Sequence, residues 1–141
     1  MGNNSGMTTL HPFAARLLAV ALAAGSTLVA HSAPRWEQVV SSGPGHYYID
    51  PASIAKDGDR RTFDSALDYR HPQTSANGKG YQSVATQFQV NCRMKMARII
   101  HMTYYSGPML AGTVVERQGM LKDWLEVDAS SPVHRLIRYA C

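Results

Sequence analysis

Ser83-Val84-Ala85-Thr86-Gln87-Phe88-Gln89-Val90-Asn91-Cys92 sets Val84, Thr86, Phe88, Val90 and Cys92 on one face of an extended chain and Ser83, Ala85, Gln87, Gln89 and Asn91 on the other. Period-two alternation of this kind predicts a half-buried strand, with Cys92 on its core side. The only other cysteine is Cys141, the last residue given. It follows Ser131-Pro132-Val133-His134-Arg135-Leu136-Ile137-Arg138-Tyr139-Ala140, which reads as a cap, a proline at the first helical position and an apolar stripe at Val133, Leu136, Ile137 and Ala140. Cys141 falls four residues past Ile137, on that same side. A bond between Cys92 and Cys141 therefore staples a terminal helix to a sheet.

Such a bond needs an oxidising compartment. Residues 1–32 read as an export signal. They hold no acidic side chain, place Arg16 before the apolar run Leu17 to Leu22, and continue through small residues to Ala30 and Ser32. Cleavage after Ser32 suits the small-residue rule. The run from Leu17 to Ala30 is shorter than the roughly 20 residues of a membrane-spanning helix and contains Gly25, Ser26 and Thr27, so no transmembrane anchor is expected. No cysteine stands near the cleavage region to carry a lipid. The expected product is exported, residing in the periplasm, on the outer surface or in the medium.

Residues 33–141 suffice for one core and are too few for two domains. Removing residues 1–32 takes Arg16 and leaves 13 Lys and Arg against 10 Asp and Glu. This mild excess suits contact with acidic surfaces. Arg93, Lys95 and Arg98 are the nearest approach to a cluster; on a strand Arg93 and Lys95 share a face, with an ordinary solvated face as the other reading.

Elsewhere the pattern is again of strands and turns. Arg35 to Ser41 predicts a first strand, Ser42 to Gly45 a break, and His46 to Ile49 a short strand. Asp50-Pro51-Ala52-Ser53-Ile54 predicts one helical turn capped by Asp50, and Asp57-Gly58 a reversal. From Arg61 to Tyr69 the alternation sets Phe63, Ser65, Leu67 and Tyr69 against Thr62, Asp64, Ala66, Asp68 and Arg70. His71 to Gly80 is expected as a polar loop. After a turn near Arg93 a long strand runs to about Tyr105, its inward face left open by the neighbouring Ile99 and Ile100. Gly112 to Gln118 and Trp124 to Val127 supply the remaining strand patterns. The fold class is α+β: an antiparallel sheet of about six strands with a C-terminal helix packed on one face and tethered by a disulfide.

Catalytic chemistry needs a constellation, and the sequence carries no Gly-x-Ser-x-Gly elbow, no phosphate-binding loop and no paired-histidine zinc spacing. Cys92 with His101 could be read as nucleophile and base, but the disulfide reading takes precedence in an exported chain. His46, His71, His101 and His134 stand singly on different elements. No cofactor and no metal are expected, and no catalytic residues are assigned. The pairs Tyr47-Tyr48 and Tyr104-Tyr105 put one ring on each face of a strand, so one of each meets solvent or a partner. Met94, Met96 and Met102 share strand parity and read as core filling. Arg93, Lys95, Tyr104 and Tyr105 are the candidate partner-binding residues. Basic residues interleaved with aromatics also suit a nucleic-acid platform, against which export argues.

The ordered set Trp36, Tyr47-Tyr48-Ile49-Asp50-Pro51, Ser53-Ile54, Gly58, Arg61, Leu67-Asp68-Tyr69, Tyr81-Gln82-Ser83, Asn91-Cys92, Arg98, Tyr104-Tyr105, Trp124 and the closing helix resembles the surface-adhesin protein E-like domain family of Gram-negative bacteria. The resemblance covers most of residues 33–141. It implies a six-stranded antiparallel sheet whose C-terminal helix is tied to it by a disulfide, and a non-enzymatic role. The family's named member is a lipoprotein that binds matrix proteins such as vitronectin and laminin, and plasminogen; this chain lacks the lipid-bearing cysteine. The function expected is an exported binding module, adhesin-like, for a host matrix or envelope protein. The alternative is a periplasmic structural protein that maintains the envelope and has no host ligand.

Overall fold

The alternating segments hydrogen-bond into one antiparallel sheet. In the computed structural model, which describes residues 33–119 and 123–141, the strands are β1 (Glu37–Ser41), β2 (Gly45–Ile49), β3 (Ala55–Asp57), β4 (Arg60–Thr74), β5 (Gly80–Asn91), β6 (Met96–Tyr105), β7 (Val114–Gln118) and β8 (Leu125–Glu126). Six of them follow the order β1-β2-β4-β5-β6-β7, while the short β3 adds to β4 and β8 to β6. The export signal read over residues 1–32 lies outside the described residues.

The Asp50 turn forms as its residues dictate. A single 3₁₀ turn spans Pro51–Ser53, and the Ala52 N–H donates to Asp50 Oδ1 at 3.1 Å. Gly58 reverses the chain between β3 and β4 at φ +54°, in the left-handed region that suits glycine. At the start of β2 the reason for glycine is space, since a Cβ on Gly45 would collide with the carbonyl oxygen of Asp68 on β4.

β4 is longer than its alternation suggests. The expected loop from His71 to Gly80 shrinks to residues 75–79, because β4 continues through His71, Pro72 and Gln73 and pairs again with β5 at Gln73↔Tyr81. The register shifts between Asp68 and Gln73, and Pro72, which has no N–H to give a ladder, sits inside that shift. A second irregularity resolves the Ile99-Ile100 ambiguity. Phe88 pairs with Ile99 and Gln87 with His101, so Ile100 is the extra residue of a bulge. Ala97 and Ile99 then share a face with Met102 and Tyr104. The bulge also undoes the shared parity of the methionines, placing Met96 and Met102 on opposite faces, and Met94 lies in a turn, 60% exposed.

Helix α1 (Pro132–Ala140) starts where its cap predicts, with the His134 N–H donating to Ser131 Oγ at 3.2 Å. Its stripe buries Leu136, Ile137 and Ala140 against Ile49, Phe63, Phe88, Val90 and Ala97. Phe63 and Phe88, directly opposite across β4 and β5, stand 5.6 Å apart between ring centroids. Cys141 bonds Cys92 with a Cα to Cα separation of 5.6 Å, closing the helix onto the end of β5. Arg135 and Arg138 face solvent.

The opposite face of the sheet has its own cover. Ser83 is fully buried there; its hydroxyl donates to the Gly107 carbonyl and accepts the Leu110 N–H at 2.8 Å. Asp68 Oδ1 accepts the Met109 N–H at 2.8 Å. These two side chains pin the segment after β6, where Met109 and Leu110 both take positive φ, 46° and 63°.

Candidate functional site

A nine-residue helix is about 13 Å long, whereas six strands span about 24 Å. One helix cannot cover this sheet. It packs over the side formed by β1, β2 and β4, and among the described residues the rest of the same face is left as a trough of about 410 Å³. Its floor is Leu67, Val84, Phe88, Ile99 and Met102, and its walls are Val133 and Leu136 of α1 and Leu125 and Val127 at β8. Ser65 and Thr86 are the polar groups of the floor, and the Ser65 hydroxyl is satisfied by the Thr86 carbonyl at 3.2 Å. The floor therefore offers apolar contact and little else to a ligand. A volume in this range is ordinary for a ligand cleft.

Aromatic rings close one end. Tyr47 and Tyr69 line the trough, and Tyr69, Tyr81 and Tyr104 form a ladder of edge-to-face contacts at 5.6 Å and 5.0 Å. Burial, reinforced by the neighbouring Tyr81, raises the Tyr69 phenol well above its usual range; burial also raises Tyr104, with Tyr81 and Glu116 adding to it. At the other wall Asp128 is held below the usual carboxylate range by the Ser130 N–H and hydroxyl, each 2.8 Å from its Oδ1. Trp124 lies against Arg98, whose guanidinium carbon is 4.8 Å from the ring centroid while its Nε donates to Gln89.

The residues singled out in the sequence do not form one patch. Arg93 and Lys95 were expected to align along a strand; both lie instead in the turn of residues 92–95 between β5 and β6, with Lys95 at φ 56°. The reason is that the strand pattern ends at Asn91, where the chain must reverse so that Met96 can pair back onto it. Arg93 Nε contacts Asp59 Oδ2 at 3.1 Å, with the arginine side chain 79% exposed. Tyr104 and Tyr105 lie at the far end of β6, roughly 30 Å away along the strand. Tyr104 joins the tyrosine ladder on the trough side, whereas Tyr105 lies on the other face beside Trp36, His101 and Thr103. Cys92 and Cys141 are joined as expected. The trough itself went unread in the sequence, although its signal was present: Leu67, Val84 and Phe88 carry the same alternation as the core, with a helix too short to cover them all. Among the described residues no three His, Cys, Asp or Glu side chains converge as a metal site would require, and no helix is long and apolar enough to cross a membrane.

These features define a small disulfide-clamped α+β scaffold with an open apolar recess. Comparison with known proteins gives the family. The family model for surface-adhesin protein E matches residues 36–141, and the chain belongs to that family. Three solved structures share the fold: crystal form II of Haemophilus influenzae protein E, at TM-score 0.57 and 18% identity over 67% of this chain and 79% of that one; a second structure of Haemophilus influenzae protein E, at 0.55 and 18% over 78% and 90%; and protein E from non-typeable Haemophilus influenzae, at 0.51 and 17% over 73% and 72%. No curated protein matches the sequence. Family membership supports a surface-adhesin-like protein with an exported or surface location.

Proposed function

We propose that this chain is an exported, non-enzymatic binding module that engages a matrix or envelope protein through the trough beside α1. The observation that carries the reading is the apolar recess of about 410 Å³ between α1, β8 and the sheet, on whose floor Leu67, Ile99 and Met102 stay half-buried. A partner's apolar side chains gain by leaving water there, and the rigid clamp of sheet, helix and disulfide means little order is lost on binding. Family membership and the export signal over residues 1–32 support the setting. Cleavage after Ser32 leaves residues 33–141 as the acting domain.

The test is biolayer binding of the protein to immobilised vitronectin and laminin, with Leu67→Trp as the variant that fills the trough. Saturable binding that weakens about tenfold or more in Leu67→Trp is the expected result. Binding unaltered by a correctly folded Leu67→Trp removes the trough from the reading, and no binding to either protein removes the matrix ligand.

A further inference from the structure

The topology gathers cations that are far apart in the sequence to one end of the sheet. Lys56 lies opposite Arg61 and Asp57 opposite Arg60 in the β3–β4 hairpin, and Arg60 lies opposite Asn91, where the β5–β6 turn with Arg93 and Lys95 begins. The Cys92–Cys141 bond then brings in the last turn of α1, which carries Arg138. Register and disulfide thus place six cationic residues toward this end, with the carboxylates of Asp57, Asp59 and Glu126, the last opposite Met96 from β8. That surplus is most of the chain's formal +4. Arg61 donates to the Gly58 and Arg60 carbonyls, and Arg93 pairs with Asp59.

At its apex, between Arg93 and Lys95, stands Met94, 60% exposed, and Leu125 on the neighbouring β8 is exposed to the same degree. A polyanion chain needs only the cations. An anionic bilayer rewards both parts, because cations meet headgroups while an apolar tip enters the boundary with the acyl chains. We propose that this methionine-tipped basic pole docks the protein peripherally on anionic phospholipid. The disulfide is part of the site, since it holds Arg138 beside the turn.

The experiment uses the full chain with Met94→Trp and vesicles of phosphatidylcholine with or without phosphatidylglycerol. Trp36 and Trp124 also emit, so the difference in emission between Met94→Trp and the parent protein is what reports insertion at position 94. The expected result is a blue shift relative to the parent protein on phosphatidylglycerol vesicles, absent on pure phosphatidylcholine and reversed by salt. Adding Arg93→Ala and Lys95→Ala should raise the lipid needed for half the shift about tenfold. An unmoved emission on phosphatidylglycerol vesicles overturns the proposal, as does a shift equally strong on phosphatidylcholine. Retention on heparin that is lost in the charge variants, without any vesicle shift, overturns it in favour of a polyanion.

Discussion

The two halves of the helix-side face share β4 and β5 and differ in what covers them. Under α1, Ile49, Phe63 and Val90 are sealed from solvent by Leu136 and Ile137. Beyond the helix, Leu67, Ile99 and Met102 continue the same alternation and stay half-buried. Whether an apolar strand face becomes core or recess is decided by the reach of a nine-residue helix, and the strand's own pattern is silent on it. The comparison predicts unequal costs for truncation to alanine, beyond what the difference in side-chain size accounts for. Phe63→Ala should lose about 3–5 kcal/mol, as a fully buried ring leaving a cavity, whereas Leu67→Ala should lose about 1 kcal/mol because water already reaches it. Denaturant unfolding of both variants measures this; similar losses would break the distinction and mean that the trough is closed in solution.

The disulfide sharpens the same contrast. It closes a loop with a sequence separation of 49, worth about 4 kcal/mol in the chain-entropy account. Replacing both cysteines by alanine should lower stability by about 2–5 kcal/mol. Amide exchange should then accelerate in α1 first, while the long β4–β5 ladder stays protected. Uniform loss of protection would show that helix and sheet unfold as one unit and that the clamp has no local role.

A smaller effect isolates the helix start. The Ser131 hydroxyl accepts the His134 N–H, and α1 is too short to stand without tertiary support. Ser131→Ala should cost about 1 kcal/mol, read from thermal melts. An unchanged midpoint would mean that packing of Leu136 and Ile137 alone fixes where the helix begins.

Much of this architecture could be read from residue order, and for stated reasons. Period two at β4 and β5, the Asp50-Pro51 and Ser131-Pro132 caps and the lone pair of cysteines are local signals with one structural solution each. The bulge at Ile99 to His101 was not legible, because two adjacent isoleucines satisfy either face and the choice falls to the pairing with Phe88. Arg93 and Lys95 were misplaced for a related reason: parity argues about faces only while the chain stays extended, and the turn begins one residue after Asn91. The trough and the basic pole were out of reach because each is a relation between segments far apart in sequence, Leu67 with Met102 in one case and Arg60 with Arg93 in the other.

The tyrosine end of the trough yields the last prediction, which depends on pH. Burial and the adjacent Tyr81 raise the Tyr69 phenol above its ordinary value of 10.0, so the folded state holds that proton more firmly than the unfolded chain does. Stability is therefore unaffected by this group below about pH 10, and falls as pH rises beyond it toward the folded pKa, because only the unfolded chain releases the proton there. Tyr69→Phe removes the group while keeping the ring's contact with Tyr81. Urea midpoints compared between about pH 9 and pH 11 should decline more steeply in the parent protein than in Tyr69→Phe. Parallel declines would mean that Tyr69 is solvated, and that the trough is open at the very end where the Tyr69, Tyr81 and Tyr104 ladder is packed to close it.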